Sequence, residues 1–408
     1  MQCKRKCPVC GSSNHTVLFE HNIEAFDQYS CFRNIRNVCC ENCGFVFDNT
    51  DYDQNYLNRF YKDESPYVNA MGTGAGGDSA VDIVMYEKYT SIIDSYINKK
   101  SCVCEVGCAK GGYLNYLKTK GYENIFGIEL SSDLVEKAQS LGLNVQLGTA
   151  ENIPAPFDGR NYDIIIYNHI FEHLLDFSKV LLSCIRYLSK GSFIFVTVPD
   201  AEFYHEYEFF PYYSIINAKE HINHFSEYHF TMLMNGFGFR KIYCAHEILK
   251  YNKRNSFPVL LMLFEFTPDV ICKVVKCVKY CIMNSMIKYL MQCDIMLGKI
   301  NKLIDEYIKN QKRLYIWGIG SEFFILSSFT KLFDCNIISL IDKNKEKQML
   351  TYKGIRINPP ESLMNTNGDD NILLLSVFND DAMNQYLSEF QVNCNVIRIS
   401  DLLGNKNI

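Results

Sequence analysis

A strand that ends in an acid and breaks into a glycine turn occupies residues 102–112, and it constrains the fold of this chain more than any other stretch. The strand carries Glu105, and the turn after it closes at Gly111. Beyond the turn, apolar residues repeat at intervals of three and four, which predicts a helix that starts at Gly111. A second strand, Ile125–Glu129, follows and ends in another acid. Such a strand–turn–helix–strand unit is typical of α/β proteins that hold a cofactor at the turn.

Strands and helices are predicted to alternate from residue 101 to about residue 245, which is the pattern of a parallel sheet with crossover helices. We expect strands in this region at Cys102–Val106, Ile125–Glu129, Asp163–Tyr167 and Phe193–Val198. We expect helices between them at Gly111–Lys120, Ser132–Leu141 and Phe177–Leu188, and one before them at Met85–Ile97. Ser131 or Ser132 can cap the helix that follows the second strand.

The motif C-x-x-C-G occurs twice near the start of the chain, at Cys7–Gly11 and at Cys40–Gly44. A C-x-x-C turn places two thiolates on one edge of a tetrahedron, and two such turns complete a four-cysteine zinc site. The predicted metal ligands are Cys7, Cys10, Cys40 and Cys43, with Cys3 and Cys39 as possible competitors. A closed site of this kind has no open position for water, which indicates a structural or docking role.

The composition indicates a soluble globular protein with more than one core. A length of 408 residues favours two or three domains, and 48% hydrophobic with 21% charged residues is far from a disordered composition. The start of the chain lacks the apolar run of a signal peptide, and the longest apolar run, Phe257–Phe264, is too short to cross a bilayer. We therefore expect a cytoplasmic protein whose 18 cysteines are metal ligands and free thiols. A net charge of -5 argues against a nucleic-acid partner.

The acid at the end of the second strand, Glu129, is placed to accept hydrogen bonds from both hydroxyls of an unphosphorylated ribose. NAD and S-adenosylmethionine both contain such a ribose. A dinucleotide fingerprint has a glycine two residues after the first, where the backbone approaches the pyrophosphate, but here that position is Ala109. S-adenosylmethionine has no pyrophosphate, and Glu105 suits its amino group. The residues therefore favour S-adenosylmethionine as the cofactor.

This region resembles the class I S-adenosylmethionine-dependent methyltransferases. The resemblance is carried by Glu105-x-Gly107-x-x-x-Gly111, Glu129, Ala150-Glu151 before Pro154, and Asp163 followed by Phe171-Glu172-His173-Leu174. It implies that Gly107–Gly111 wraps the methionine end of the cofactor and that Glu129 holds the ribose. It also implies that Glu151 lies near the adenine and that Asn168 and His169 border the methyl group.

With the cysteine motifs before it and a further αβ pattern after it, the chain resembles the sugar C-methyltransferases that act on nucleotide-linked deoxysugars. The implied fold class is α/β, with a zinc-binding module at 1–65, a Rossmann-like methyltransferase domain at 66–250, a helical connector at 251–312 and a Rossmann-like C-terminal domain at 313–408. In that family a Glu-His pair after the fifth strand supplies the base, and Glu220-His221 occupies this place. The family's tyrosine two residues before the Glu is Ala218 here, so C- and O-methylation both stay open.

Most of the nine histidines fall between residues 169 and 246, and residues 203–213 are dense in aromatic side chains that can stack on sugar rings. Methyl transfer from a sulfonium needs a positioned acceptor and the removal of one proton. A histidine near its ordinary pKa and beside a carboxylate suits this task. We expect His221, assisted by Glu220, to be the base, with His169 and His224 as alternatives.

The stretch from Tyr251 to Gln311 separates the two αβ regions. Its apolar residues follow helical spacing from Val270 to Ile282 and are interleaved with lysines. This pattern predicts connecting helices that pack between domains, with attachment to a membrane surface as the alternative.

The C-terminal residues repeat the pattern of strand, glycine turn and acid. The strand Arg313–Trp317 runs into Gly318-Ile319-Gly320, and a second strand, Ile337–Ile341, ends at Asp342. A full dinucleotide fingerprint has a third glycine at the position of Phe323. By the family resemblance, this domain would help to hold the nucleotide of an activated sugar. A lid of the same fold without a ligand is the alternative.

The sequence thus predicts an S-adenosylmethionine-dependent methyltransferase that acts on a sugar, either nucleotide-linked or part of a surface glycan. One alternative is an NAD-dependent sugar-modifying oxidoreductase, although each turn lacks one fingerprint glycine. A zinc-dependent scaffold with an inactive methyltransferase domain is the other alternative, and the intact acids and glycines of the first turn argue against it.

Overall fold

The computed structural model describes residues 5–23, 26, 34–50, 53–64, 76–156, 159–206, 210–212, 221–250, 256–269, 281–377 and 379–403. Within these residues the strands form three sheets, of four, seven and six strands. The predicted α/β class is confirmed by the seven-stranded sheet, which has helices between its parallel strands.

The four-stranded sheet is antiparallel and is built largely from N-terminal residues. Its first three strands are β1 (His15–Asn22), β2 (Asn34–Cys40) and β3 (Val46–Asp48). The turn between β2 and β3 contains the second C-x-x-C motif. After β3, the short helix α1 (Gln54–Arg59) begins where the side chain of Asp53 accepts a hydrogen bond from the N–H of Tyr56. A π-helical turn, Phe60–Glu64, continues from α1.

The seven-stranded sheet carries the glycine turn. Its strands are β4 (Cys102–Val106), β5 (Asn124–Glu129), β6 (Val145–Leu147), β7 (Tyr162–Asn168), β8 (Leu188–Pro199), β10 (Phe239–Lys250) and β11 (Ser256–Phe266). In space they follow the order β10-β11-β8-β7-β4-β5-β6. The strands from β8 to β6 pair in parallel, whereas β11 is antiparallel to both of its neighbours. The four predicted strands are confirmed, and β4 has the predicted bounds.

The helices around this sheet are α2 (Ala80–Ile93), α3 (Gly112–Thr119), α4 (Ser132–Ser140), α5 (Phe177–Ile185) and α6 (Glu227–Asn235). Helices α3, α4 and α5 cross between parallel strands, as predicted, whereas α2 precedes β4 and α6 precedes β10. The expected helix starting at Met85 begins earlier, where Ser79 and Asp82 form a capping box. Ser131 occupies the cap position of α4, but its side chain makes no capping hydrogen bond.

The expectation of a purely helical connector over 251–312 is wrong at its beginning. Residues 256–266 form β11, which inserts between β8 and β10 of the central sheet. Its apolar run is unbroken because both faces of the strand are buried, and such a run lacks the alternation that marks a half-buried strand. The run therefore belongs to the core of the central sheet rather than to a linker.

One more short strand ties the N-terminal sheet to the central region. β9 (Asn223–His224) pairs antiparallel with β3 and completes the four-stranded sheet. This strand begins two residues after the predicted base His221. The N-terminal strands therefore hold the segment that carries this histidine.

The long helix α7 (Cys281–Lys309) leads into the C-terminal sheet. Its buried residues recur every three or four positions from Ile282 to Tyr307, so that one face packs on the core. Most of the expected helix over Val270–Ile282 lies outside the described residues. The elements that follow are β12 (Arg313–Trp317), α8 (Ser321–Phe329), β13 (Asn336–Ile341), β14 (Thr351–Tyr352), β15 (Ile355–Asn358), β16 (Asn371–Leu374), α9 (Asp380–Glu389), β17 (Asn395–Arg398) and α10 (Ile399–Leu403).

The C-terminal sheet has the order β14-β15-β13-β12-β16-β17, with parallel pairing from β15 to β17. One hydrophobic cluster joins this sheet, α7, the central sheet and N-terminal residues such as Phe26. The ring of Phe26 lies edge-on to Phe324 and Tyr352, with centroids 5.2 and 5.8 Å away. Within the described residues, no helix combines the length and apolarity that a membrane crossing requires.

Candidate active site

The chain changes direction across the central sheet at β4, and the candidate site lies at that point. From β4 the chain passes to β5 on one side and later returns to β7 on the other. In open α/β sheets such a switch point leaves a crevice at the carboxyl ends of the two strands, where ligands bind. Glu105 and Gly107 lie at the end of β4, and Asn168 and His169 lie at the end of β7. The fold therefore brings these four predicted residues to one edge of the sheet.

The glycine turn after β4 excludes side chains at several positions. Gly107 has a φ of 74°, and a Cβ there would lie 2.2 Å from Cδ1 of Ile170. Gly111 has a φ of 79°, in the left-handed region that glycine adopts without strain. A Cβ on Gly112 would lie 2.2 Å from the carbonyl oxygen of Gly77. Segment 76–77 consequently packs directly on the backbone of the turn.

The carboxylate of Glu129 fixes the shape of the turn. It accepts backbone hydrogen bonds from Ala109 at 2.9 Å, from Leu130 at 2.8 Å and from Ser131 at 2.9 Å. Burial raises the pKa of Glu129, and these N–H donors oppose the rise because they stabilise the charged form. The acid thus points from the end of β5 toward the turn, where the sequence predicted a ribose-binding residue.

Glu105 is a buried acid with one unsatisfied oxygen. Glu105 is 4% exposed, and its Oε1 accepts a hydrogen bond from Nδ2 of Asn168 at 2.8 Å. Oε2 has no hydrogen-bond partner among the described residues. Burial raises the pKa of Glu105 to about 8, with Asn168 lowering it and the charge of Glu129 raising it further. A cationic group in the crevice would stabilise the charged form of this carboxyl.

Glu151, the residue predicted near the adenine, lies in the turn after β6. A bridge between Thr149 and Asn152 closes this turn. Oε1 of Glu151 is buried and has no hydrogen-bond partner in the described part of the chain. Its place beyond the end of β6 is on the same side of β4 as Glu129.

His169 forms a hydrogen-bonded pair with an acid that the sequence reading gave no role. Its Nδ1 lies 3.0 Å from Oε1 of Glu172, whose side chain is fully buried, while the His169 side chain is 29% exposed. His169 has a φ of 53°, and its backbone N–H donates to the carbonyl oxygen of Thr197 at 3.0 Å. A left-handed non-glycine residue held in this way is typical of functional sites. The sequence did contain a signal for Glu172, because this acid comes three residues after His169, shortly beyond the end of a predicted strand.

The predicted base His221 lies beside the same acid. The rings of His173 and His221 are edge-on with centroids 4.8 Å apart. Potential ligand atoms of Glu172, His173 and His221 all lie within 4.8 Å of one another. Burial lowers the pKa of His221 well below its ordinary value, and the neighbouring histidines lower it further. Glu220, the predicted partner of His221, lies outside the described residues.

His224, the other alternative base, lies in the core. It is fully buried in β9, with Nε2 3.3 Å from Nδ2 of Asn37 and Nδ1 3.4 Å from the hydroxyl of Tyr204. Burial lowers the pKa of His224 to about 4. The expectation that His224 could replace His221 as the base is therefore not supported by its position, because both ring nitrogens are used within the core.

The four predicted cysteine ligands come together. Sγ of Cys7 lies 3.6 Å from Sγ of Cys43, and Sγ of Cys10 lies 3.5 Å from Sγ of Cys40. All four sulfurs are within 4.8 Å of one another. A tetrahedron with Zn–S bonds of about 2.3 Å places its sulfurs about 3.8 Å apart. Cys39 is buried and directs its thiol to backbone carbonyls instead, and Cys3 lies outside the described residues.

Arg5, close to the first cysteine, links the cysteine cluster to the candidate active site. Its guanidinium donates to the carbonyl oxygens of Ile222 at 3.3 Å and of Leu174 and Leu175 at 3.2 Å. It also donates to Oδ1 of Asn223 at 2.9 Å. These partners flank both His173 and His221. The sequence alone gave no reason to single out Arg5, because its partners are distant along the chain.

The C-terminal glycine turn has a different set of partners. Gly318 has a φ of 106°, and the N–H of Ile319 donates to Oδ2 of Asp342 at 3.1 Å. Nζ of Lys347 also lies 3.1 Å from this oxygen, so that the acid is already ion-paired. Burial raises the pKa of Glu322, in the first turn of α8, to about 7.

The region of the central sheet is similar in sequence to known methyltransferases. Residues 85–243 match the family model described as a methyltransferase domain. The mRNA cap guanine-N(7) methyltransferase of Eremothecium gossypii is 28% identical over 133 residues, which cover 28% of this chain and 31% of the relative. The chain therefore spans about a third of the length of this curated relative. These matches support an S-adenosylmethionine-dependent methyltransferase domain at residues 85–243.

Solved structures of methyltransferases are similar to part of this chain at low sequence identity. An S-adenosylmethionine-dependent methyltransferase from Methanosarcina mazei has a TM-score of 0.37 and 16% identity, covering 43% of this chain and 97% of its own. Magnesium protoporphyrin IX methyltransferase from Synechocystis PCC 6803, with bound SAH, has a TM-score of 0.40 and 10% identity, covering 53% of this chain and 100% of its own.

Proposed function

We propose that this chain, which carries a class I S-adenosylmethionine-dependent methyltransferase domain, methylates an oxygen or carbon of a sugar. The observation that carries the proposal is the switch-point crevice. A buried acid with an unsatisfied oxygen lies at the end of β4, and a histidine–carboxylate pair follows the end of the neighbouring strand β7. The sugar acceptor rests on the resemblance in layout, with a four-cysteine cluster before the methyltransferase domain and a Rossmann-like sheet after it.

The residues at the glycine turn fit S-adenosylmethionine. Glu105 has the unsatisfied buried oxygen that a cationic amino group would pair with, and the side-chain-free turn after it lets a ligand approach the backbone. Glu129 would hold the ribose, Glu151 would lie near the adenine, and Asn168 would border the methyl group. When bound, the cofactor supplies an electrophilic methyl carbon, whose bond to sulfur breaks with the electron pair staying on sulfur.

The acceptor must lose a proton as its new bond to carbon forms, and His169 is placed to take it. Its Nδ1 is held by the buried carboxylate of Glu172, which leaves Nε2 as the atom that would accept the proton. Glu172 would then stabilise the imidazolium. His221, with Glu220, completes the group of residues around the acceptor. We place His169 before His221 as the base because its carboxylate partner is within hydrogen-bond distance in the described structure.

The four cysteines would hold one structural Zn²⁺, since they form a closed set of thiolates. Through Arg5 and β9, the folded cysteine module would position the segment around His221. The C-terminal sheet would contact the nucleotide part of an activated sugar. An RNA acceptor, as in the cap methyltransferase relative, fits less well because the net charge of this chain is -5.

Calorimetry with S-adenosylmethionine tests the cofactor assignment. The wild type should bind it, and Glu129→Ala should weaken binding by roughly 100-fold, equivalent to about 2.7 kcal/mol. An absence of binding to the folded wild-type chain would overturn the proposal. Methyl transfer to a panel of nucleotide-linked sugars then tests the acceptor, and turnover of RNA caps instead of sugars would contradict it.

A further inference from the structure

We propose that Glu172, His173 and His221 bind one divalent metal ion, best Zn²⁺, beside the methyl-transfer crevice. The inference rests on the proposed function, because it assigns to that same site the cation that binds the acceptor. Two imidazoles and one carboxylate are a ligand set of catalytic zinc sites, which keep further positions open for water or substrate.

The three residues have the spacing of metal ligands. Their potential ligand atoms lie within 4.8 Å of one another without an ion between them. Small movements of side chains would bring them to the distances of about 2.0–2.2 Å that zinc prefers. His173 and Glu172 are adjacent in sequence, whereas His221 comes from the segment before β9, so the fold itself assembles the group.

Two buried polar atoms of the group have no hydrogen-bond partner among the described residues, which favours a bound cation. Oε2 of Glu172 belongs to a fully buried side chain and has no hydrogen-bond partner among the described residues. Nδ1 of His221 is likewise buried and has no partner in that part of the chain. A buried carboxylate oxygen without a partner costs free energy, and a cation bound between it and the imidazoles would remove that cost.

The residues around the group orient its members, as in established metal sites. Nδ1 of His173 lies 2.6 Å from the hydroxyl of Tyr61, and Oε1 of Glu172 is held by His169. Nδ2 of Asn223 donates to the carbonyl oxygens of Phe171 and Glu172, which fixes the turn that carries two of the ligands. Metal ligands are typically held by such hydrogen bonds on the side away from the metal.

Other groups of potential ligands in the described residues are less suited. Asp200 and Glu202 with His246, and Glu227 and Cys244 with His246, also have close ligand atoms. However, Glu227 is ion-paired with Lys241, and Nδ1 of His246 is already 2.6 Å from Asp200. Glu227 and Asp200 therefore already have close partners, whereas Oε2 of Glu172 is buried and has no hydrogen-bond partner among the described residues.

The metal would select an acceptor that offers two neighbouring oxygens, such as a sugar diol or a hydroxyl beside a carbonyl. Binding to the cation lowers the pKa of a hydroxyl. The O–H bond then breaks, its proton passes to Nε2 of His169, and the electron pair stays on the oxygen as the nucleophile. No oxidant or reductant is needed, and His169 later releases the proton to water.

Reconstitution with Co²⁺ tests the site, because thiolate-bound cobalt absorbs strongly in the near ultraviolet and cobalt bound by nitrogen and oxygen does not. The wild type should bind about two Co²⁺ per chain, one of them at the closed cysteine site. Glu172→Gln should bind about one, with the thiolate absorption unchanged. Affinity at the second site should fall by roughly 100-fold or more, since a ligand is lost.

Glu202→Gln is the matched control, because Glu202 belongs to the competing group and should leave about two Co²⁺ per chain. His221→Asn removes a ligand from the other segment and should reproduce the loss seen with Glu172→Gln. A wild-type chain that binds Co²⁺ only at the cysteines, or two variants that keep both ions, would overturn the metal site.

Calorimetry on the same samples separates the two proposals. Glu172→Gln should bind S-adenosylmethionine within about twofold of the wild type, since the acid lies outside the cofactor-binding turn. A wild-type chain that binds the cofactor but only one Co²⁺, at the cysteines, overturns the metal site and leaves the proposed function standing. Absence of cofactor binding in the wild type overturns the proposed function instead.

Discussion

The two glycine turns of this chain share a backbone arrangement. The first glycine of each turn, Gly107 or Gly318, donates its N–H to the residue before the acid of the neighbouring strand, at 2.8 and 2.9 Å. That acid, Glu129 or Asp342, accepts an N–H from the turn in return, at 2.9 and 3.1 Å. The same short-range pattern in sequence has therefore produced the same local structure twice.

The turns differ in the charges around them. In the central sheet, Glu105 is buried beside the turn with an oxygen that has no partner in the described structure. In the C-terminal sheet, Lys347 pairs with Asp342 and also donates to the carbonyl oxygen of Ile319 at 2.7 Å. The first turn thus lies beside a buried carboxylate oxygen without a partner, whereas the acid of the second turn is already paired with Lys347. The strand–turn–acid pattern indicates a fold, and the buried carboxyl of Glu105, which has no cationic partner in the described residues, indicates where a cationic ligand binds.

The largest difference between the turns should appear when each first glycine is replaced by alanine. Gly107→Ala forces a Cβ to 2.2 Å from Ile170 in a left-handed conformation, so we expect S-adenosylmethionine affinity to fall by roughly 100-fold or more. Gly318→Ala is the matched control, since its Cβ would meet atoms no closer than 3.5 Å. Calorimetry should find its cofactor affinity within about twofold of the wild type. Equal losses of cofactor affinity in both variants would contradict the proposal that only the first turn binds the cofactor.

Glu105→Gln should weaken S-adenosylmethionine binding by about tenfold, because the amide cannot pair with the cationic amino group. The pKa of Glu105 is about 8 in the folded protein, above its ordinary value of 4.5. Pairing with a cation would lower this pKa, so binding should release a proton and should strengthen as pH rises from about 5 to 8. Calorimetry in buffers of different ionisation enthalpy measures that proton, and a wild-type release equal to that of Glu105→Gln would contradict the pairing.

Glu322→Gln should change stability rather than cofactor binding. The pKa of Glu322 is raised from 4.5 to about 7 by burial, so the folded state holds a proton that the unfolded state releases between these values. The stability of the wild type should therefore fall as pH rises from about 4.5 to 7. At pH 8 the variant should be more stable by about 3 kcal/mol, and at pH 4 the two should be equal. Urea unfolding at both pH values measures this, and parallel pH profiles would contradict it.

The smallest expected effect is that of Lys347→Met, which removes the cation from the C-terminal turn. The ion pair with Asp342 is partly exposed, so its loss should lower the free energy of unfolding by about 0.5–1 kcal/mol. The loss should shrink at high salt because screening weakens the pair in the wild type. Unfolding curves at low and high salt provide the measurement, and an effect that does not depend on salt would point to packing of the Lys347 stem instead.

Much of the central fold could be predicted from sequence because its signals are local. The bounds of β4, the glycine turn and the acid of β5 all follow from residues close together in the chain. β11 was missed, since an apolar run buried on both faces carries no period that separates it from other buried segments. Its place between β8 and β10 depends on strand pairing across the whole domain.

The candidate site was predictable only in part, for the same reason. The four cysteines could be grouped because two identical motifs specify the geometry of one metal site. The His169–Glu172 pair could not be grouped with His221, because they meet only where the turn after β7 packs against the region of β9. His224 has the same residue type and a similar position, yet its surroundings in β9 make it part of the core.

The hydrogen bond from Arg5 to Ile222 spans 217 residues and has a consequence for the order of folding. The N-terminal strands leave the ribosome long before the segment that carries His221, and closing so long a loop carries a large entropic cost. Contacts of this range form late when a chain folds. The cofactor turn, built from neighbouring residues, can therefore form before the histidine segment is fixed, and competence to transfer a methyl group is acquired last.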